Sequence, residues 1–186
     1  MHIIITGFGL YGSCEYNSSS LAVNRLRQIW NKTYTDACTG IKLHTIENVP
    51  VTYKAVDQCV NSIWKENPDL VIHVGMDASV TMPILETLSY NNGYDKPDMD
   101  GAYCGNNGCV NIHGEPILYC NMNLSKAYSK LVDSHIACSI SMIQGGFYVA
   151  IYTTNHWNIH LIELFSYMSH VQLECLLKIL LFHFYR

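Results

Sequence analysis

Apolar residues in the first half of the chain fall into short unbroken runs separated by amphipathic stretches. Residues 2–6 read HIIIT and halt at Gly7; residues 70–74 read LVIHV and halt at Gly75. Continuous runs of this length, rich in β-branched side chains, predict strands buried on both faces. Residues 41–51, closed by Pro50, alternate well enough to predict another strand. Between them, Leu21, Leu26, Ile29 and Trp30 approximate helical spacing behind Ser18, Ser19 and Ser20, which supply capping hydroxyls. Val56, Val60, Ile63 and Trp64 form one stripe of a helix over 55–65, stopped by Asn67 and Pro68. Residues 124–132 are helical in composition and 137–141 predict a further strand. Apolar strands alternating with helices predict an α/β three-layer sandwich, with a mostly parallel central sheet and helices on both faces. No repeat or linker divides the chain, so residues 1–186 read as a single domain.

Composition narrows the function. With 49% hydrophobic and 14% charged residues, the chain can bury a substantial core. A net charge of −4, and no dense run of Lys or Arg, argue against a nucleic-acid partner. Eight scattered cysteines in a chain of this size read as reduced thiols, and with no signal-peptide core at the N-terminus a cytoplasmic location is expected. The apolar stretch 171–186 is too short for a transmembrane span and carries Glu174, Lys178 and His183, so a core or surface helix is expected there.

In a parallel sheet, ligands bind beyond the carboxyl ends of the strands. Here those ends are Thr6-Gly7-Phe8-Gly9 and Gly75-Met76-Asp77. Gly7 and Gly9 lack the third glycine of a nucleotide loop. Cys104, Cys109, His113 and Cys120 lack the paired knuckle spacing of a zinc site, so neither metal nor cofactor is expected. His73, inside an apolar strand, reads as a hydrogen-bonded core residue. The stretch 91–114, rich in Gly, Asn and Asp, has the length of a functional loop or lid. Glu86 stands in an otherwise apolar segment; burying a carboxylate is expensive, so it must be either salt-bridged or functional.

A set of ordered motifs goes further. Ile5-Thr6-Gly7-Phe8-Gly9 with Asn17, then Val49-Pro50-Val51 with Tyr53 and Ala55-Val56-Asp57, then 67–75 reading NPDLVIHVG, then Glu86 and Asn91-Asn92-Gly93-Tyr94, resemble pyroglutamyl-peptidase I, the C15 cysteine peptidases. The resemblance runs in order to about Ser141. It implies removal of N-terminal pyroglutamate from peptides by a Cys nucleophile, a His base and a Glu that orients the His. Glu86 falls at the Glu position. Phe8 and Tyr11 fall where aromatic residues wall the lactam pocket, with Leu10 in place of the family's usual proline. Met76 falls where bacterial members have a polar residue. The division of labour is chemical: a thiolate attacks the amide carbonyl, imidazole moves the proton, and carboxylate holds the imidazole tautomer.

After Ser141 the pattern breaks. Family members carry approximately Ser-x-Asp-Ala-Gly-Arg-Phe-Leu-Cys, whereas 142–150 read MIQGGFYVA. Val149 and Ala150 stand in the nucleophile's place, and neither can attack a carbonyl, so the chain as written is expected to be inactive. Codons read from the third base of Met142 force Asp, permit Thr or Ser, Gly, Arg and Phe, force Leu, and permit Cys across Tyr148 and Val149. In that frame the codons of 166–170 permit Ile-His-Val-Pro, the family's histidine motif. One base lost near Ser141 would account for both; a transcript with no open second frame here would exclude it. Cys175, the one cysteine beyond Ser141, lacks the strand-to-helix position that activates a thiol. Two other roles fit the same chain: a non-catalytic binder of pyroglutamyl peptides, and an interaction protein docking through its apolar tail.

Overall fold

A computed structural model describes residues 1–33, 40–77, 79–120, 122–141 and, as backbone, 159–165. The expected C-terminal helix over 171–186, the nucleophile's place at 149–150, and Cys175 lie outside the described residues.

Strand β1 (His2–Phe8) is the hub of the sheet. It pairs in parallel with β2 (Lys42–Val49) on one side and β3 (Leu70–Asp77) on the other. Strand β8 (Ile159–Phe165) follows β3 in parallel, and β4 (Ile84–Glu86) and β7 (Ser139–Ser141) close the order β2-β1-β3-β8-β4-β7. β4 runs antiparallel to β8, so β4 and β7 oppose the other four strands. A separate two-stranded ribbon pairs β5 (Leu88–Tyr90) with β6 (Ile117–Tyr119). The expected mostly parallel α/β sheet is present, with two reversed strands that hydrophobicity does not reveal.

Alternation along β1 assigns the two faces. Ile3 and Ile5 point toward helix α1 (Ser18–Thr33), joining Ala22, Val23, Leu26 and Trp30 in the larger core. Leu124, Ala127 and Leu131 of helix α3 (Leu124–Asp133) cover the same side. Ile4 and Val71 point the other way, onto Ile63 of helix α2 (Tyr53–Lys65). Phe8, Val49, Val56 and Val60 continue that second core toward the carboxyl ends of the strands. Each fully buried isoleucine contributes roughly 2–3 kcal/mol by leaving water.

Local chemistry sets the boundaries. The cap of α1 is Asn17, not the serines: its Oδ1 accepts from the Ser19 amide at 3.0 Å and the Ser19 hydroxyl at 2.7 Å. The serines are the buried first turn instead, and Ser19 Oγ accepts from the Phe8 amide at 2.9 Å. This turn presses so closely on β1 that a Cβ on Gly7 would meet Ser19 O and Ser20 Cα at 2.8 Å. Thr52 caps α2 by accepting from the Ala55 amide at 3.2 Å, and Asn67, at φ +48°, turns the chain out of the helix just before Pro68.

Candidate active site

Register places the polar side chains in a row. Thr6 pairs with His73, His73 with the backbone of Leu161, Leu161 with Glu86, and Glu86 with Ser141. Paired residues point to the same face, and Leu85 lies in the α1 core, so Thr6, His73 and Glu86 share the α2 face. Glu86 is 2% exposed and His73 also 2%. β8 lies between β3 and β4, which puts Glu86 about 10 Å from His73 across the sheet. The carboxylate does not stand beyond a shared carboxyl edge. It lies in mid-sheet, because β4 runs against the parallel strands.

His73 is the core histidine its apolar strand predicted. Its Nδ1 is 2.7 Å from Thr6 Oγ1, and burial lowers its pKa to about 4, so the ring is neutral at physiological pH. Phe8 is buried against Tyr94 and Cys104 of the long loop, whereas Tyr11 is 40% exposed just past β1. Gly7 pairs with Val74, so Phe8 and Met76 emerge at the same end of adjacent strands. Alternation from Val71 puts Met76 on the α1 side of the sheet, away from Phe8 and Glu86. Glu86 and Phe8 thus share a face, and Met76 stands on the opposite one.

The loop over 91–114 is fastened rather than free. Asp98, 8% exposed, accepts from the Tyr53 amide at 2.9 Å, the Asp100 amide at 3.0 Å and the Ala102 amide at 2.9 Å. The Tyr53 hydroxyl donates to Lys96 O at 2.8 Å, and the Met99 amide donates to Val51 O at 3.2 Å. Asn91 ties the loop's two ends together: its side-chain Nδ2 donates to Asn111 O at 2.7 Å and its Oδ1 accepts from the Asn111 backbone amide at 2.9 Å. The strap therefore crosses the start of α2 beside the carboxyl end of β2. Nothing in the hydrophobic pattern distinguished Asp98 from other loop acids; only its fold neighbours do.

Ser141 meets Glu86 through β4 and β7, and Thr87 locks the pair by donating to Ser141 O from its amide at 3.1 Å and its hydroxyl at 2.7 Å. Four of the described thiols are poorly suited to attack. Burial raises the pKa of Cys59, Cys104 and Cys138, and pushes Cys120 up to about 11. Cys104, Cys109, His113 and Cys120 form no ligand group among the described residues. No helix among the described residues is long and apolar enough to cross a membrane.

These elements define an α/β protein of the three-layer class, with a buried carboxylate in mid-sheet and a polar strap over its first βα units. A family model described as pyroglutamyl peptidase matches residues 1–172, past the last motif at Ser141. The chain belongs to the pyroglutamyl peptidase family. It is 32% identical over 116 residues to pyroglutamyl-peptidase 1 of Rattus norvegicus, covering 62% of this chain and 52% of that one. Against the human pyroglutamyl-peptidase 1-like protein the identity is 34% over 116 residues, covering 62% of this chain and 58% of the relative. The chain thus spans about half the length of the mammalian relatives it matches. Pyrrolidone carboxyl peptidase from Thermus thermophilus superposes with a TM-score of 0.80 at 20% identity, over 96% of this chain and 98% of that one. A variant of the Pyrococcus furiosus protein superposes with a TM-score of 0.79 at 18% identity, over 98% and 97% of the two chains. At those identities the likeness is one of fold.

Proposed function

We propose that this chain keeps the recognition scaffold for peptides with an N-terminal pyroglutamate but is catalytically silent as written. The observation that carries the reading is Glu86, a carboxylate 2% exposed and locked beside Ser141, the last residue before the sequence leaves the family pattern. In an active member a thiolate close behind that strand would attack the lactam-linked carbonyl, and the carboxylate would orient a histidine. Here Val149 and Ala150 occupy the nucleophile's place. Buried thiols with raised pKa values are poor substitutes for it. Phe8 and Tyr11 are the proposed aromatic walls; Met76 shares their end of the sheet but lies on its other side. No metal or cofactor is needed for this chemistry.

The test pairs two purified proteins: the chain as written, and a version with one base restored near the Ser141 codon. Each is assayed on a fluorogenic pyroglutamyl amide with and without a thiol blocker. The chain as written should cleave nothing yet bind a pyroglutamyl peptide, and the restored version should cleave in a thiol-sensitive way. Cleavage by the chain as written would overturn the proposal, and so would a failure of both proteins to bind.

A further inference from the structure

At the opposite end of the sheet from Phe8, three side chains with metal-binding atoms converge. His2 begins β1, His44 is the third residue of β2, and Glu66 follows the last turn of α2. One ligand atom from each lies within 4.8 Å of the other two. The convergence follows from register. His2 pairs with Lys42 and Ile4 with His44, so His2 and His44 lie two positions apart on one face, the face that Ile63 of α2 covers. Asn67, in the left-handed conformation, ends α2 and leaves Glu66 over that corner.

The distances suit a hydrogen-bonded pair and a ligand set alike, and the ring nitrogen of His2 separates the two readings. Glu66 Oε2 is 3.2 Å from His44 Nδ1 and 3.6 Å from His2 Nε2. Ligand atoms about 2.0–2.2 Å from a tetrahedral ion stand roughly 3.3–3.6 Å apart, within about 0.1 Å of both edges. His2 Nε2 is buried and has no hydrogen-bond partner among the described residues, an uncommon state for a ring nitrogen. A cation held at the shared oxygen would accept its lone pair. His44 and Glu66 are 40% and 36% exposed in their side chains, so the corner is open to ions and leaves a fourth position for water. Two charges flank it: Asp69, whose Oδ2 accepts from the His2 amide at 2.6 Å, and Lys42, in register with His2.

We propose that His2, His44 and Glu66 form a binding site for a divalent first-row transition metal. Two imidazoles and one carboxylate suit Zn²⁺, Co²⁺ or Ni²⁺ rather than Mg²⁺ or Ca²⁺, which prefer all-oxygen shells. The site ties β1, β2 and the end of α2 together, roughly 20 Å along β1 from Phe8, so it acts on stability rather than on peptide chemistry.

Cobalt(II) titration of the purified chain, residues 1–186, followed by visible absorption, tests it. One equivalent should bind with visible d–d bands and without a thiolate-to-cobalt charge-transfer band. His44→Gln and Glu66→Gln should each weaken binding at least about tenfold while leaving the metal-free melting temperature unchanged. Zn²⁺ should shift the imidazole NMR signals of His2 and His44 in the unsubstituted chain and leave His73 unmoved, a readout that needs no variant to fold. No saturable binding, a charge-transfer band from cysteine ligation, unmoved His2 and His44 signals, or affinity in both variants equal to that of the unsubstituted chain would overturn the proposal.

Discussion

Thr6 and His73 face each other across the β1–β3 pair, with Thr6 Oγ1 2.7 Å from His73 Nδ1 and both side chains buried. Removing the hydroxyl leaves a buried ring nitrogen without its partner. Thr6→Val should therefore cost about 1–3 kcal/mol in urea unfolding. Adding His73→Leu should recover much of that loss, since replacing both partners removes the unpaired group. A single substitution that unfolds at the same urea concentration as the parent would contradict this.

His73 also gives the chain a pH-dependent stability. Its folded pKa, about 4, lies below the ordinary 6.5, so between these values the unfolded chain takes up a proton that the folded chain refuses. The stability is fully present above about pH 6.5 and is lost as pH falls toward 4, by up to about 3 kcal/mol. Urea midpoints from about pH 7.5 to 4.5 should show the decline, and His73→Leu should flatten it.

Gly7 is held to a bare backbone by Ser19 and Ser20. A methyl group there meets backbone atoms at 2.8 Å, which cannot swing aside as a side-chain tip can. Gly7→Ala should destabilise by about 2–3 kcal/mol or more, as α1 is pushed off β1. Gly12→Ala, where φ is +61° and nothing lies nearby, should cost less, about 1 kcal/mol from backbone strain alone. Thermal melts of the two variants compare the costs directly.

Asp98 joins the strap to the first turn of α2. Asp98→Ala abandons three backbone amides and should cost about 2–4 kcal/mol. Limited proteolysis should then cut within 91–114, and amide exchange should quicken at Tyr53, Asp100 and Ala102 before it quickens in β1.

Glu86 can be tested for a positioning role in the frame-restored protein. Glu86→Gln should lower kcat by about 10²–10⁴ and leave affinity for a pyroglutamyl peptide nearly unchanged. Equal losses in affinity and turnover would assign Glu86 to substrate binding or to the core.

Much of this was legible in the chain itself. The runs at 2–6 and 70–74 specify buried strands because no half-exposed strand tolerates continuous apolar residues, and the stripe of Val56, Val60 and Ile63 specifies the helix that covers them. Ordered motifs specified the family, and an isolated carboxylate singled out Glu86. Tertiary structure decided what depends on strand direction and register. Only the reversal of β4 sets Glu86 level with His73 instead of beyond the strand ends. Only the β1–β2 register brings His2 beside His44, and only the packing of α2 carries Glu66 to both. Local propensity reads a residue against its near neighbours in the chain, whereas these sites join residues that are far apart in sequence and meet through backbone hydrogen bonds common to every side chain.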